Sequence, residues 1–169
     1  MKTDSSLKKS DNYKNKNEFL NLLKSFTYAF SGIWYAIKNE RNMRIHICAA
    51  VFVIEFAIIY GLSFLQYAVL ILTIGAVIAA ELFNTALEAC LNLYSKDYNR
   101  LIKVSKDASA AAVLILAICS VFIAFFMFSD IKKLTGVFSF LTAHLWAMAL
   151  FILEIIIAVI FVFSVKKKI

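Results

Sequence analysis

Residues 108–129 read ASAAAVLILAICSVFIAFFMFS, a run of 22 residues with no charged side chain. As a helix it is about 33 Å long, enough to cross a bilayer core of ~30 Å. The run is continuously apolar, not alternating, and it is about twice the length of a barrel strand, so it reads as a transmembrane helix. Three more stretches read the same way, over roughly 45–64, 66–93 and 137–165. The whole chain agrees with this. Of its 169 residues 62% are hydrophobic and 17% are charged, against about 25% charged in a soluble domain. Mean hydropathy is +0.80. There is no proline and there are only four glycines, too few turn residues for a β-sandwich. Such hydrophobicity excludes a disordered chain. Cys48, Cys90 and Cys119 are too scattered for a disulfide framework or a metal spacing. The expected fold class is therefore an all-α integral membrane protein.

The charges are segregated. Residues 1–44 carry nine Lys/Arg against four Asp/Glu, and residues 94–107 carry four against two. The tail ends in Lys166, Lys167 and Lys168. Within the apolar stretches the only charges are Glu55, Glu81, Glu88 and Glu154. The net charge of +7 is thus a basic exterior around an acidic interior, and it bears on topology; no nucleic-acid partner is expected. Lys and Arg mark the cytoplasmic side of a membrane protein. With four spans, both termini and the 94–107 loop fall on that side of the cell membrane. Lys132 and Lys133, on the opposite side, are the one discordance.

Residues 1–17 are polar and basic and lack the apolar core of a cleavable leader; they are expected to form a disordered tail. Over 18–39 the periodicity changes. Phe19, Leu22, Leu23, Phe26, Phe30, Ile33, Trp34 and Ile37 recur at helical spacing. They predict an amphipathic helix lying in the cytoplasmic membrane interface. The expected organisation is a tail over 1–17, a core over 18–129 and an additional span with a basic end over 130–169.

An ionisable side chain at the bilayer centre costs roughly 2.5–3.5 kcal/mol on insertion scales. A chain that only needed to span would avoid four of them. Glu81, Asn84 and Glu88 fall within about 60° of one another on a helix. Small neighbours, including Ala80, Ala86 and Ala89, let other helices come close. Glu40, Lys106 and Asp107 should lie at the same level, the cytoplasmic interface. Acids hold Mg²⁺ with substrate phosphates completing the shell, a lysine offsets phosphate charge, and a carboxylate in an apolar site can take a hydroxyl proton. Phosphoryl transfer at the membrane surface is one reading. Interhelical hydrogen bonding, or a proton or ion path, is the other. There is no glycine-rich phosphate loop of the Walker or protein-kinase type. Glu55 reads as packing glue, His46 as an interfacial hydrogen bonder, and His144 and Glu154 as groups paired within the protein.

The segment Glu81-Leu82-Phe83-Asn84-Thr85-Ala86-Leu87-Glu88 resembles the E-x-x-N-[ST]-A-x-E signature of prokaryotic diacylglycerol and undecaprenol kinases. Lys106-Asp107 and the small residues after it resemble the family's lysine–aspartate stretch. Glu40-Arg41-Asn42 with His46 is similar to the upstream segment in the form common among undecaprenol kinases. The resemblance covers roughly residues 18–129. It implies a homotrimeric membrane kinase with a surface helix and three transmembrane helices, to which this chain adds a fourth. It implies transfer of the γ-phosphate of ATP, with Mg²⁺, to a membrane lipid alcohol: undecaprenol first, diacylglycerol second. Glu81 would be the general base. Glu40 and Glu88 would hold the metal with the nucleotide. Asn84 and Ala110 would adjoin the lipid. Lys106, Asp107, Tyr28, Asp97, Tyr98 and Asn99 would contact the nucleotide. Two positions depart from the pattern: Asn92 stands where Asp is usual, and Ser109 where Gly or Ala is usual. The rival class is a non-catalytic membrane protein, either a transporter or channel subunit or a degenerate kinase that only binds nucleotide. Clustering of the acids toward one face favours the kinase.

Overall fold

The computed structural model describes residues 4–94 and 99–164, and all of its regular structure there is helical. Six helices follow one another: α1 (Asp4–Asn39), α2 (Arg41–Tyr60), α3 (Phe64–Tyr94), α4 (Arg100–Met127), α5 (Ile131–Ala143) and α6 (Leu145–Phe163). The chain divides into two compact units, one ending at Tyr35 and the other beginning at Ala36.

The first unit is the long run of α1. It starts at Asp4, inside the stretch expected to be a disordered tail; no proline or glycine stands there to stop a helix. Leu22, Phe26 and Phe30 of its apolar stripe are exposed. An exposed stripe of that kind suits an interfacial helix.

The second unit is a bundle. Four of its helices, α2, α3, α4 and α6, are long and apolar enough to cross a membrane. Helix α3 packs along α4 and α2 against α3, while α5 and α6 both lean on α2. Little of these helices is buried: α6 has no buried residue, and Leu72, Phe122 and Ile157 are among many large apolar side chains left exposed. In water such surfaces would associate; in lipid they are solvated.

Helix ends are set by local chemistry. Gly61 ends α2 in the left-handed region at φ 73°, where a side chain would be strained, and its N–H donates to Ala57 O at 3.0 Å. Asn99 caps α4 by accepting from Leu101 N, and Asp130 caps α5 by accepting from Lys132 N and Lys133 N. The apolar core sits at this end of the bundle. Ala57, Tyr60, Leu62, Leu70, Met127 and Val137 form its buried centre. Phe128 stacks edge-on against both Phe56 and Tyr60. The Tyr60 hydroxyl takes the Asp130 N–H at 2.9 Å, tying the α4–α5 corner to the end of α2.

The run over 137–165 is not one span. His144 leaves the helix at φ −118°, ψ 85° and divides it into α5 and α6. Its backbone N–H and its ring Nδ1 both lie against Phe140 O, and its ring packs on Phe140 and Trp146. At 13 residues α5 is about 20 Å long, too short to cross. His144 therefore does not meet Glu154. Glu154 instead shares a cavity with Glu55, within hydrogen-bonding reach, between α2, α5 and α6.

Candidate active site

Helix α3 supplies the centre. Glu81 is 1% exposed, the most deeply buried charged residue among those described. Helical periodicity puts Thr85 one turn on along the same buried face, at 7% exposed. Asn84 stands between them and hydrogen-bonds the Glu81 carboxylate. From α2, His46 Nε2 approaches Glu81 Oε1 at 3.3 Å. That is ion-pair distance without hydrogen-bond alignment, and Oε1 is left buried with no hydrogen-bond partner. Thr85 Oγ1 is orphaned in the same way. A buried acceptor normally has its donor, because an unpaired one costs about 1–3 kcal/mol. Two such acceptors lie one turn apart on α3.

Helix α4 orients this pair. Ser109 Oγ lies 2.7 Å from Asn84 Oδ1 and 2.9 Å from Lys106 O. One hydroxyl proton serves one acceptor at a time. Donation to Asn84 turns the amide nitrogen toward Glu81, the orientation a carboxylate requires. One turn before Ser109, Lys106 Nζ donates to Asn92 Oδ1 at 2.6 Å. Asn92 is the position where the resemblance has Asp. A neutral amide there holds the lysine in place without cancelling its charge.

Glu40 occupies the single non-helical position between α1 and α2, at φ −107°, ψ 121°, and its side chain makes no cap bond. Burial pushes its carboxyl above the usual carboxylate range, and the nearby Glu88 and Glu81 push it further in the same direction. Glu88 and Glu81 thus lie within electrostatic reach of Glu40. Among the described residues no three of His, Cys, Asp and Glu converge tightly enough to hold a metal ion alone. That donor set still suits Mg²⁺, which usually takes one or two carboxylates and completes its shell with phosphate oxygens and water.

A groove of about 200 Å³ runs between α2, α3 and α4. Its walls are Val53, Leu70, Val77, Val121 and Ala124, and His46 stands at one end. An apolar channel thus leads to the imidazole that touches Glu81. This assigns His46 more than the interfacial hydrogen bond read from sequence. A lone histidine in an apolar run carries no spacing signal; only the fold puts it beside Glu81. Arg44 also went unremarked in the sequence, yet it is 8% exposed and makes four hydrogen bonds.

The other expected site residues divide. Glu81 and Asn84 meet, Ser109 links Asn84 to the Lys106 carbonyl, and Glu40 lies within electrostatic reach of Glu88 and Glu81. Asp107 and Ala110 lie exposed on α4. Asn99 is the cap of α4. Tyr28 is an exposed residue of the first unit. Asp97 and Tyr98 lie outside the described residues.

Residues 27–128 match the family model described as prokaryotic diacylglycerol kinase. The chain is 35% identical over 118 residues to an undecaprenol kinase of Bacillus subtilis, spanning 70% of this chain and 96% of that protein. It is 44% identical over 104 residues to a diacylglycerol kinase of Synechocystis, spanning 61% of this chain and 59% of that protein. It is 28% identical over 107 residues to the diacylglycerol kinase of Escherichia coli K12, spanning 63% of this chain and 88% of that protein. No solved structure gives a significant match.

Proposed function

The chain belongs to the prokaryotic diacylglycerol kinase family, and from that premise we propose that it transfers the γ-phosphate of ATP to the hydroxyl of a membrane lipid, undecaprenol in the first place. The observation that carries the reading is the buried Glu81 carboxylate, its Oε1 3.3 Å from His46 Nε2 at the end of an apolar groove. A lipid alcohol laid in the groove would bring an O–H donor to that acceptor.

In the reaction proposed, Glu81 Oε1 takes the hydroxyl proton as the lipid oxygen forms its bond to the γ-phosphorus. The bond from that phosphorus to the β-phosphate oxygen breaks, and ADP leaves. Asn84, held by Ser109, fixes the carboxylate in its plane. Exclusion of water around Glu81 prevents loss of the phosphoryl group to hydrolysis. Lys106 lies at the phosphate end, with Asp107, Asn99, Asp97, Tyr98 and Tyr28 assigned to the nucleotide and Ala110 to the lipid. Glu40 and Glu88 would hold Mg²⁺, which when bound offsets charge on the phosphates. Glu88 and Glu81 raise the Glu40 carboxyl, an effect that a cation held there would offset.

Undecaprenol is favoured by the Glu40-Arg41-Asn42 to His46 segment and by the relative from Bacillus subtilis, nearly all of whose length is matched. Diacylglycerol is the second reading, favoured by the 44% identity to the Synechocystis protein. The proposal includes a homotrimer in the cell membrane with both termini in the cytoplasm. Exposed small residues on α3 and α4, such as Ala86, Ala89, Ala111 and Ala112, support close packing between copies.

The test is phosphorylation in bilayers, with undecaprenol and diacylglycerol offered side by side, with and without Mg²⁺. Transfer to undecaprenol that needs both ATP and Mg²⁺ is expected. Transfer to neither lipid overturns the reading. Glu81→Gln should lower kcat by about 10²–10⁴-fold, the usual range for a positioned base, while nucleotide binding survives. Near-normal turnover in that variant would remove Glu81 from the role.

A further inference from the structure

The family match ends at residue 128, and α6 lies beyond it. The C-terminal end of α6 nevertheless meets the joint that carries Glu40. Arg44, on the first turn of α2, sends Nε to Ile37 O at 2.6 Å and Nη2 to Lys38 O at 3.1 Å. Its Nη1 reaches Phe161 O at 2.8 Å and Ser164 Oγ at 2.9 Å. The guanidinium also lies 4.9 Å from the Phe161 ring, and Arg41 lies 4.5 Å from that of Phe163.

Each acceptor is where a helix end leaves one. Ile37 and Lys38 belong to the last turn of α1, Phe161 to the last turn of α6 and Ser164 is its cap residue. Carbonyls in a last turn have no intrahelical donor, and a cation there meets the negative end of the helix dipole. One planar fork therefore joins the ends of two helices to the start of a third. A lysine, with a single point charge, could not hold that geometry.

The joint needs holding. Glu40 is its only non-helical residue and has no local cap bond. What holds the joint is the fork of Arg44, and two of its four hydrogen bonds end on residues of the appended segment.

We propose that α6 is a brace for the phosphoryl-transfer site: through Arg44 it fixes the α1–α2 joint so that Glu40 stays turned toward Glu81 and Glu88. Arg44 and Ser164 are then positioning residues, acting through Glu40. The inference rests on the assignment of Glu40 to the metal.

The test uses the full chain in phosphatidylcholine vesicles, with Mn²⁺ and a non-hydrolysable ATP analogue as probes. Bound Mn²⁺ is read by electron paramagnetic resonance, and amide hydrogen exchange is followed over residues 37–44. Arg44→Lys should weaken Mn²⁺ binding by about tenfold or more, as removal of a supporting partner of a metal ligand typically does, and should speed exchange at the joint. Ser164→Ala should do both to a smaller degree and leaves the guanidinium in place; it decides the matter if Arg44→Lys does not fold. Combining Arg44→Lys with Glu40→Gln should weaken Mn²⁺ no further than Glu40→Gln alone. The brace is overturned if Glu40→Gln weakens Mn²⁺ while Ser164→Ala and any folded Arg44→Lys bind it as the native chain does. If Glu40→Gln itself binds Mn²⁺ normally, the metal assignment is wrong and the brace falls with it. The two failures differ in which variant is silent.

Discussion

Glu40 is held where a carboxylate is costly to ionise, by burial first and by Glu88 and Glu81 after it. Its folded-state pKa lies above the unfolded value, so the folded chain holds this proton more tightly than the unfolded one. Below the unfolded value of about 4.5 the group is neutral in both states and costs nothing. As the pH rises through the raised value, the folded chain loses stability. Glu40→Gln removes that loss. Thermal unfolding without metal should show the variant more stable than the native chain at pH 7, with the gap closing below pH 4.5. Saturating Mg²⁺ and nucleotide should reverse the order, because a ligand stabilises the form that binds it. An unchanged melting temperature across the range would mean that neither burial nor the neighbouring acids perturb Glu40. At this scale the sequence was legible for Glu81, Asn84 and Glu88, because helical spacing alone puts them on one face. It was not legible for His46, whose partner lies 35 positions away on another helix. Arg44 was equally silent, since its acceptors are backbone carbonyls that no side-chain motif announces.

The element scale turns on how α4 is held against α3, the most extensively packed pair of helices. Ser109 reads in the sequence as a small residue replacing Gly or Ala, so tolerance is the whole expectation. The fold gives it a further task, a hydrogen bond from α4 to Asn84 on α3. Ser109→Ala should cost about 1 kcal/mol, the typical worth of one such bond, or roughly 2–4 °C in melting temperature for a chain of this size. The fall in kcat should be modest, because Asn84 keeps its place on α3 and loses only the partner that orients its amide. A melting temperature unchanged within error would show that the Ser109 hydrogen bond adds nothing net to stability. Apolar runs placed the first three spans to within several residues of the observed helices. They began the fourth too early, at 137 where the spanning helix starts at Leu145, because composition stays apolar through His144 while the backbone does not stay helical. No proline or glycine marks the break; it shows only in the backbone angles of His144, whose ring Nδ1 lies against Phe140 O.

For the whole molecule, the two ends of the bundle have opposite characters. At one end Tyr60, Gly61, Asp130 and Lys133 meet around an aromatic core, with Lys133 Nζ on Gly61 O at 2.8 Å and 5.4 Å above the Tyr60 ring. That explains the discordant basic pair, at least for Lys133: it caps the carbonyl end of α2, a favourable place for a cation, and so is a structural charge rather than a topological one. At the other end lie Glu40, Arg44, Lys106 and Ser164, the carboxylates and their basic surroundings. The proposed orientation puts that second end in the cytoplasm, where ATP is. It is checked by single cysteines at Ser63, in the α2–α3 connection, and at Asn99, in the α3–α4 connection, in a chain with Cys48, Cys90 and Cys119 replaced by alanine. A membrane-impermeant thiol reagent added to intact cells should label Ser63→Cys at once and Asn99→Cys only after lysis. Four crossings by α2, α3, α4 and α6 also require Ser164→Cys to behave like Asn99→Cys, since Ser164 bonds Arg44 at the same end. Labelling of Ser164→Cys from outside would separate α6 from Arg44 and break the bundle's arrangement, whereas labelling of Asn99→Cys from outside would invert the whole molecule and place its acids away from the nucleotide.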